Sequence, residues 1–402
     1  MRILIAPTWI PYPPVSGGAI RSLEIARRLA QKHQVTFALA LRREGDSDSC
    51  EALRKEGFAI IAMPGDGWFR KGGEILYAAA RGRAPATGLF GSRALEREIV
   101  RNLGSFDVIQ IEHQDFGRVP YFVHQDSRAV FSIILHNLES ESCERIARIE
   151  NRWLWRLWWR INSRGFARFE RRELAAYDLT IVTSERECDL LGRHLLPERI
   201  AVVPNCTDLS VPPLEEPHNP APVILFVGQM KYPPNADAAR WLVKEIFPKI
   251  RTAYPAARLL LVGRRDPRTG LGLEAEGIVD ESVVPDLTPY YRQADVVIAP
   301  LRAGGGTRLK ILEGMARGRV VVSTSLGAEG LGAVDGRHLL IADTPEGLAG
   351  AVLAVFRDPA RRASIRREAR ALVESRFNWD NAARTLLDRY ADLHRSRQSR
   401  CG

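Results

Sequence analysis

The chain has 402 residues, more than one hydrophobic core accommodates, because cores stop growing at roughly 250–300 residues. Apolar residues make up 45% and charged residues 26%, which excludes a disordered chain, a collagen and a small disulfide scaffold. Lys and Arg total 58 against 48 Asp and Glu, a net charge of +10. That balance suits an anionic small molecule, a nucleic acid or an anionic membrane surface and does not choose among them.

The apolar runs, such as Ala129–Leu135 with one serine inside, fall short of the ~20 residues that span a bilayer. The opening run Ile3–Pro7 is too short for a signal peptide and is followed at once by Pro11, Tyr12, Pro13 and Pro14, so a cytoplasmic chain is expected. Five cysteines, odd in number and without a CxxC pair, offer no zinc or iron–sulfur spacing and no disulfide framework.

In chain order, a strand is expected at Arg2–Pro7, then a loop with Gly17 and Gly18, a helix from about Ala19 to Gln31 and a strand at Val35–Leu41. Further strands are expected at Phe58–Met63, Val108–Ile111, Val130–Leu135, Leu179–Thr183 and Ile200–Val203, most of them separated by helical stretches. Alternation of this kind builds a parallel sheet covered on both faces. From Pro204 to Pro222 the pattern lapses into a stretch with six prolines, which reads as an interdomain linker. A second series follows: strand Val223–Gly228, helix Ala236–Ala253, strands Arg258–Gly263 and Val296–Pro300, a glycine loop, helix Thr307–Arg317, strands Val320–Ser323 and His338–Ile341, then helices.

The segment with most chemistry is Asp295–Met315. An apolar strand runs into Gly304, Gly305 and Gly306, and a helix is expected to open near Thr307. Glycines let backbone approach a ligand, and a helix N-terminus offers unpaired N–H groups, a combination suited to phosphate. Arg308 and Lys310 would add positive charge in the first turn, and Glu313 is placed to accept ribose hydroxyls. The alternative is a plain loop followed by a solvated basic face. GxxxxGK[ST] is absent, which excludes a P-loop NTPase, and Thr8–Gly18 lacks GxGxxG, which removes the support for a nicotinamide enzyme. Glu112 and His113, after the strand Val108–Ile111, lie where open α/β sheets take ligands.

Several segments in fixed order carry a family resemblance: the strand–GG–helix at Pro14–Arg21, VVPNCTDL at Val202–Leu209, LFVGQMKYPPNADAARWL at Leu225–Leu242, LLLVGRR at Leu259–Arg265, YYRQADVVIAPL leading into GGGTRLKILEGMARGRVVVST, and FNWDNAARTLLDRY at Phe377–Tyr390. Over nearly its whole length the chain resembles a two-domain GT-B glycosyltransferase of the family 4 type. The resemblance implies two Rossmann-like α/β domains facing across a cleft: an acceptor-side domain over 1–205, a linker over 206–221, a donor domain over 222–375, and a C-terminal helix over 376–402 returning toward the first.

It also implies roles. Glu313 matches the second glutamate of the family's E-x7-E motif, which binds the donor's ribose, whereas the first glutamate's place is taken by Gly305. The family's arginine after FVG and the lysine five residues on, which clamp the diphosphate, are replaced by Gln229 and Pro234. Lys231, Arg308 and Lys310 are nearby substitutes. His136, in ILHN, matches the histidine facing the donor sugar. The expected catalytic set is His136, Arg308 and Lys310, and the donor-binding set is Gly17, Gly18, Gly228, Lys231, Gly305, Gly306, Thr307 and Glu313, with Glu112 and His113 for the acceptor.

The activity implied is retaining transfer of a sugar from a nucleotide-sugar donor to a lipid-linked or saccharide acceptor in cell-envelope or exopolysaccharide synthesis. No metal or other cofactor and no nucleic acid are expected. Alternatives are a nucleotide-sugar-binding protein without transfer and a nucleotide-sugar epimerase. One further segment stands out within Ile146–Tyr177. On a single helix at about 100° per residue, Arg148, Arg152, Arg156 and Arg160 would share one arc, and Trp153, Leu154, Leu157, Trp158 and Ile161 most of the rest. Such a helix either lies in an anionic membrane interface, making the protein peripheral there, or packs its aromatics into the first domain's core.

Overall fold

The computed structural model describes residues 1–114, 128–263, 275–282, 284 and 286–401; Arg264 and Arg265 of the LLLVGRR segment lie outside them. The chain divides into two compact units, Met1–Pro204 with Trp379–Gly402 and Asn205–Asn378.

The first unit is built on seven strands, β1 (Arg2–Ala6), β2 (Gln34–Leu41), β3 (Ala59–Pro64), β4 (Val108–Glu112), β5 (Val130–Ile134), β6 (Leu179–Val182) and β7 (Ile200–Val202). They form one parallel sheet in the order β3-β2-β1-β4-β5-β6-β7. Every residue of β4 and β5 is buried. These strands read as continuous apolar runs because helices cover both faces of the sheet. The chain runs outward from β1 to β3, then restarts at β4 on the other side of β1. The connections at the carboxyl ends of β1 and β4 therefore diverge and leave a crevice, where doubly wound sheets take ligands.

The helix Trp379–Cys401 closes this unit. The Tyr390 hydroxyl donates to Gln110 Oε1 at 2.8 Å and meets Ser132 Oγ at 2.8 Å, and Arg397 clasps Asp178 at 2.7 and 2.8 Å. Helix Gly17–Ala30 starts earlier than expected: Gly17 and Gly18 are its first turn, not a loop, because Ser16 caps it by accepting the Ala19 N–H.

The second unit holds β8 (Val223–Val227), β9 (Arg258–Val262), β10 (Ile278–Glu281), β11 (Val296–Ala299), β12 (Val320–Ser323) and β13 (Leu340–Ile341), parallel in the order β10-β9-β8-β11-β12-β13. Its crevice lies beyond β8 and β11. β10 escaped the sequence reading because this edge strand is half-buried throughout and carries Asp280 and Glu281. The expected helix Ala236–Ala253 is a composite of Pro233–Trp241, a π-turn at Leu242–Ile246 and Phe247–Ala253. Pro248 supplies no N–H, and the widened turn precedes it.

The proline-rich stretch expected as an interdomain linker over 206–221 is tied to the second unit. Its carbonyls are held by arginines: Leu214 O by Arg366 at 2.9 Å and Glu215 O by Arg319 at 2.7 Å. The Leu214 N–H donates to Arg317 O at 3.0 Å. Prolines exclude regular structure here but leave the carbonyls available to side chains.

Tyr390→Phe removes one hydroxyl that serves two buried partners, so it should destabilise the first unit by about 1–3 kcal/mol, the cost of leaving buried polar groups unpaired. Urea unfolding monitored in the full chain checks this, with an unchanged midpoint as the contrary result.

Candidate active site

Each crevice gathers chemistry-bearing residues. In the first unit, β4 ends in the buried Glu112. Its carboxylate accepts from Gln110 Nε2 at 2.8 Å and from the Ser22 hydroxyl, and lies 3.9 Å from His136 Nε2. His113 follows with φ +72°, a left-handed conformation uncommon for a side-chain-bearing residue. That turn lays the His113 ring flat on His136, with centroids 4.5 Å apart and an interplanar angle of 16°. The Trp9 ring, from the end of β1, stands edge-on to His113 at 4.8 Å. A Cβ on Gly18 would lie 3.6 Å from His136 Cε1, so the first turn of the helix lines the same spot. Burial, reinforced by the neighbouring His136, holds the His113 imidazole well below the usual histidine range. His113 is thus a neutral ring at physiological pH. His136, expected with the catalytic set, and Glu112 and His113, expected to meet the acceptor, form one cluster.

In the second unit, β8 runs into Gly228. A Cβ there would fall 2.9 Å from both Lys310 Nζ and the Asn235 side chain. Glycine at 228 is what lets this ammonium come over the strand end. Lys310 Nζ donates to Asn235 Oδ1 at 2.7 Å and sits 4.4 Å from the Phe226 ring centroid. Burial, with the positive Arg308 beside it, brings the Lys310 ammonium down from 10.5 to about 7. The helix opens at Leu309, not Thr307, and Arg308 is its extended N-cap. Arg308 is therefore not in the first turn, and its Nη1 folds back to donate to Gly306 O at 2.7 Å. Neither cation forms the solvated face that was the alternative expectation.

Gly304 and Gly306 adopt φ +100° and +70°, so the loop from β11 depends on glycine at both places. It is pinned by Asn205 Nδ2, which donates to Thr307 O at 3.1 Å. The Thr307 hydroxyl, on a residue only 6% exposed, has no hydrogen-bond partner among the described residues. A buried hydroxyl left unpaired costs free energy and calls for a partner that the fold does not supply. Gly305 is half-buried in the loop, and Lys231 stands exposed on the turn after Gly228. Glu313 accepts from the buried Tyr291 hydroxyl at 3.1 Å through Oε2. Burial raises its carboxyl above the usual carboxylate range.

Sequence reasoning missed Trp9, Ser22, Gln110, Asn235 and Tyr291. Each reads alone as a surface or core residue, and only the strand ends at β1, β4 and β8 could have drawn attention to them.

Two family models match. Glycosyltransferase Family 4 covers residues 15–211 and Glycosyl transferases group 1 covers 221–358. The chain belongs to this family of GT-B glycosyltransferases. Among curated relatives, it is 27% identical to the D-inositol 3-phosphate glycosyltransferase of Xylanimonas cellulosilytica, over 58% of this chain and 61% of that one. It is 27% identical to the phosphatidyl-myo-inositol mannosyltransferase of Mycolicibacterium smegmatis, over 47% and 50%. An uncharacterized 44.6 kDa protein in the cps region of Klebsiella pneumoniae is 29% identical over 42% and 45%. The chain thus spans roughly half of the length of the curated relatives it matches. Among solved structures, sucrose-phosphate synthase from Thermosynechococcus elongatus superimposes with TM-score 0.71 at 16% identity, covering 98% of this chain and all of that one. Anabaena HepE in complex with UDP and glucose gives TM-score 0.68 at 15% identity over the same shares. At these identities the likeness establishes the GT-B fold.

The depressed His113 pKa makes an acid-side prediction. Between the folded pKa and 6.5 the unfolded chain binds more protons, so stability falls as pH drops from about 6.5 through the folded value. Asn tolerates positive φ, so His113→Asn should fold and lose less stability between about pH 7 and 5. Urea midpoints at the two pH values measure the difference, and equal losses in both proteins would contradict it.

Proposed function

We propose that the chain is a retaining glycosyltransferase that moves a sugar from a nucleotide-sugar donor to a lipid-linked or saccharide acceptor, in cell-envelope or exopolysaccharide glycan synthesis. The observation that carries this reading is the second unit's crevice. Lys310, desolvated over Gly228, stands there beside Asn235, and the glycine loop leads into the same helix through Thr307, whose buried hydroxyl is unpaired among the described residues. An arriving diphosphate would restore Lys310 to its charged form and give Thr307 an acceptor. Glu313 would take ribose hydroxyls. The HepE complex with UDP and glucose and the inositol-phosphate and phosphatidylinositol enzymes among the relatives support this substrate class.

Breaking the glycosidic bond to the nucleotide loads negative charge onto the leaving diphosphate. A cation already placed and desolvated gains most as that charge develops, and this gain lowers the barrier. His136, beside Glu112 and stacked on the His113 ring, has a ring N–H or lone pair to offer to a sugar hydroxyl. Gly305 favours one rival reading, donor binding without transfer, because the glutamate expected at that position to read the sugar is missing. Calorimetric donor binding with no product across an acceptor panel would select the rival.

Because burial brings the Lys310 ammonium down to about 7, binding a diphosphate at pH 8 should take up a substantial fraction of a proton, and affinity should fall as pH rises through that range. Titration calorimetry of a UDP-sugar in buffers of different ionisation enthalpy reads this uptake. Lys310→Met should abolish the uptake and lower kcat more than affinity. Uptake unchanged by the substitution would remove Lys310 from the diphosphate.

Glu313→Ala should weaken nucleotide binding by about 1–3 kcal/mol, the range for hydrogen bonds to a charged group. An unchanged dissociation constant in a folded variant would exclude the ribose contact.

A further inference from the structure

The tryptophan-rich segment is not the single helix expected over Ile146–Tyr177. It is the second arm of an antiparallel pair, Glu139–Ile149 and Trp153–Arg172, broken at Glu150–Arg152. Glu150 causes the break: its carboxylate holds Arg152 Nε and Nη2, both at 3.0 Å, and its carbonyl accepts from Arg156 Nε at 3.0 Å. Arg148 therefore belongs to the other helix, and the four-arginine arc does not exist on one rod.

The root of the pair is fixed. A Cβ on Gly165 would fall 2.1 Å from Ala84 N, Asn162 Oδ1 accepts the Ala86 N–H at 2.8 Å, and Ser163 Oγ donates to Ser140 O at 2.8 Å. The buried residues of Trp153–Arg172 all lie from Asn162 onward. The turns before it carry Trp153, Leu154, Trp155, Leu157, Trp158, Trp159 and Ile161, none of them buried. Trp159 packs beside Ala84, Cys143 and Phe166, whereas Trp153 is 69% and Leu154 60% exposed, with Trp155, Leu157 and Ile161 exposed as well. Packing into the first unit's core, one of the two expectations, thus accounts for Trp159 and not for the outer face.

At about 100° per residue, Trp153, Leu157, Ile161 and Leu154 share one arc of roughly 100°, and Arg156 and Arg160 lie beside it. Between Asn151 and Arg168 the sequence has five arginines and no carboxylate. We propose that the tip of this helical pair docks on an anionic lipid surface, with Trp153, Leu154 and Leu157 entering the interface and the exposed Arg160 and Arg164 meeting the headgroups. Tryptophan suits that boundary, with an apolar ring and one N–H, and long arginine stems reach outward from it. A second copy of the chain is the weaker occupant, because a two-fold contact would press like-charged arginines together. The nearby helix Trp68–Ala80 repeats the composition, with Phe69 and Leu76 exposed alongside Arg70. Among the described residues no helix is long and apolar enough to cross a membrane.

Docking needs neither donor nor acceptor, so its test is independent of the proposed transfer. The full chain is co-sedimented with phosphatidylcholine vesicles with and without phosphatidylglycerol. Binding is expected only with the anionic lipid and should weaken with salt. Arg160→Gln and Arg164→Gln should each lower partitioning about fivefold. Trp153→Ser, Leu154→Ser and Leu157→Ser together should lower it at least about tenfold, with thermal unfolding and UDP-sugar binding unchanged because the three side chains are exposed. Wild-type protein that ignores anionic vesicles at low salt would overturn the proposal. So would unaltered binding by the triple variant, or self-association in the ultracentrifuge that the same substitutions abolish.

Discussion

The second unit is organised around an ammonium that the fold desolvates with no ion pair among the described residues, Glu313 acting on it only at longer range. Lys310 has an amide oxygen at 2.7 Å and an aromatic face at 4.4 Å. Both are weaker partners than the water it gave up, hence a pKa of about 7. The arrangement requires strand ends stripped to glycine. Gly263 adopts φ +145°, where its Cβ would lie 1.9 Å from Gly228 O, and Gly228 leaves room for Lys310 and Asn235. A site held in this way costs stability when empty and recovers it when an anion enters. An electrostatic site prepared before its ligand arrives behaves so, because its dipoles need not reorganise during reaction.

The first unit makes the complementary choice. Glu112 is a buried acceptor surrounded by donors, and the connected groups run from Ser132 through Tyr390 and Gln110 to Glu112 and Ser22. Tyr390 comes from the last helix of the chain, so the terminal segment contributes directly to orienting the carboxylate beside His136. The stacked imidazoles follow from the same constraint. His113 can face His136 only by turning the backbone to φ +72°, a strain that the sheet on one side and Trp9 on the other hold in place.

Much of this was legible in the residues. Parallel buried strands announce themselves as apolar runs, and all but the half-polar edge β10 were placed within a residue or two. The glycine loop beyond β11 was legible for the same reason, since three consecutive glycines after a strand have few other uses. The helix start was not: composition favours Thr307 as the cap, whereas Arg308 holds that place in an extended conformation, its side chain turned back to Gly306 O. The break in the tryptophan segment was hidden likewise. Glu150 is unremarkable in a helical pattern until its carboxylate and carbonyl are both seen to be engaged by arginines two and six residues on.

Net charge misleads most, because a count of cations says nothing of where they are engaged. Around the second unit's crevice, Arg302 is clamped by Asp237 at 2.7 and 2.9 Å and stacked on Trp241. Arg317 lies over Tyr291, and Arg319 holds the carbonyls of Tyr291 and Glu215. These arginines build the frame that positions Tyr291, and through it Glu313. The +10 excess therefore does not describe the ligand site, where Arg308 stands beside one lysine that burial brings close to neutrality. A run of arginines with no carboxylate between Asn151 and Arg168 is a different matter. Arg160 and Arg164 are exposed there beside apolar side chains that the fold leaves uncovered. The same composition thus serves two physical purposes: internal scaffolding where arginines meet carbonyls, and an outward-facing cationic, aromatic surface where they do not.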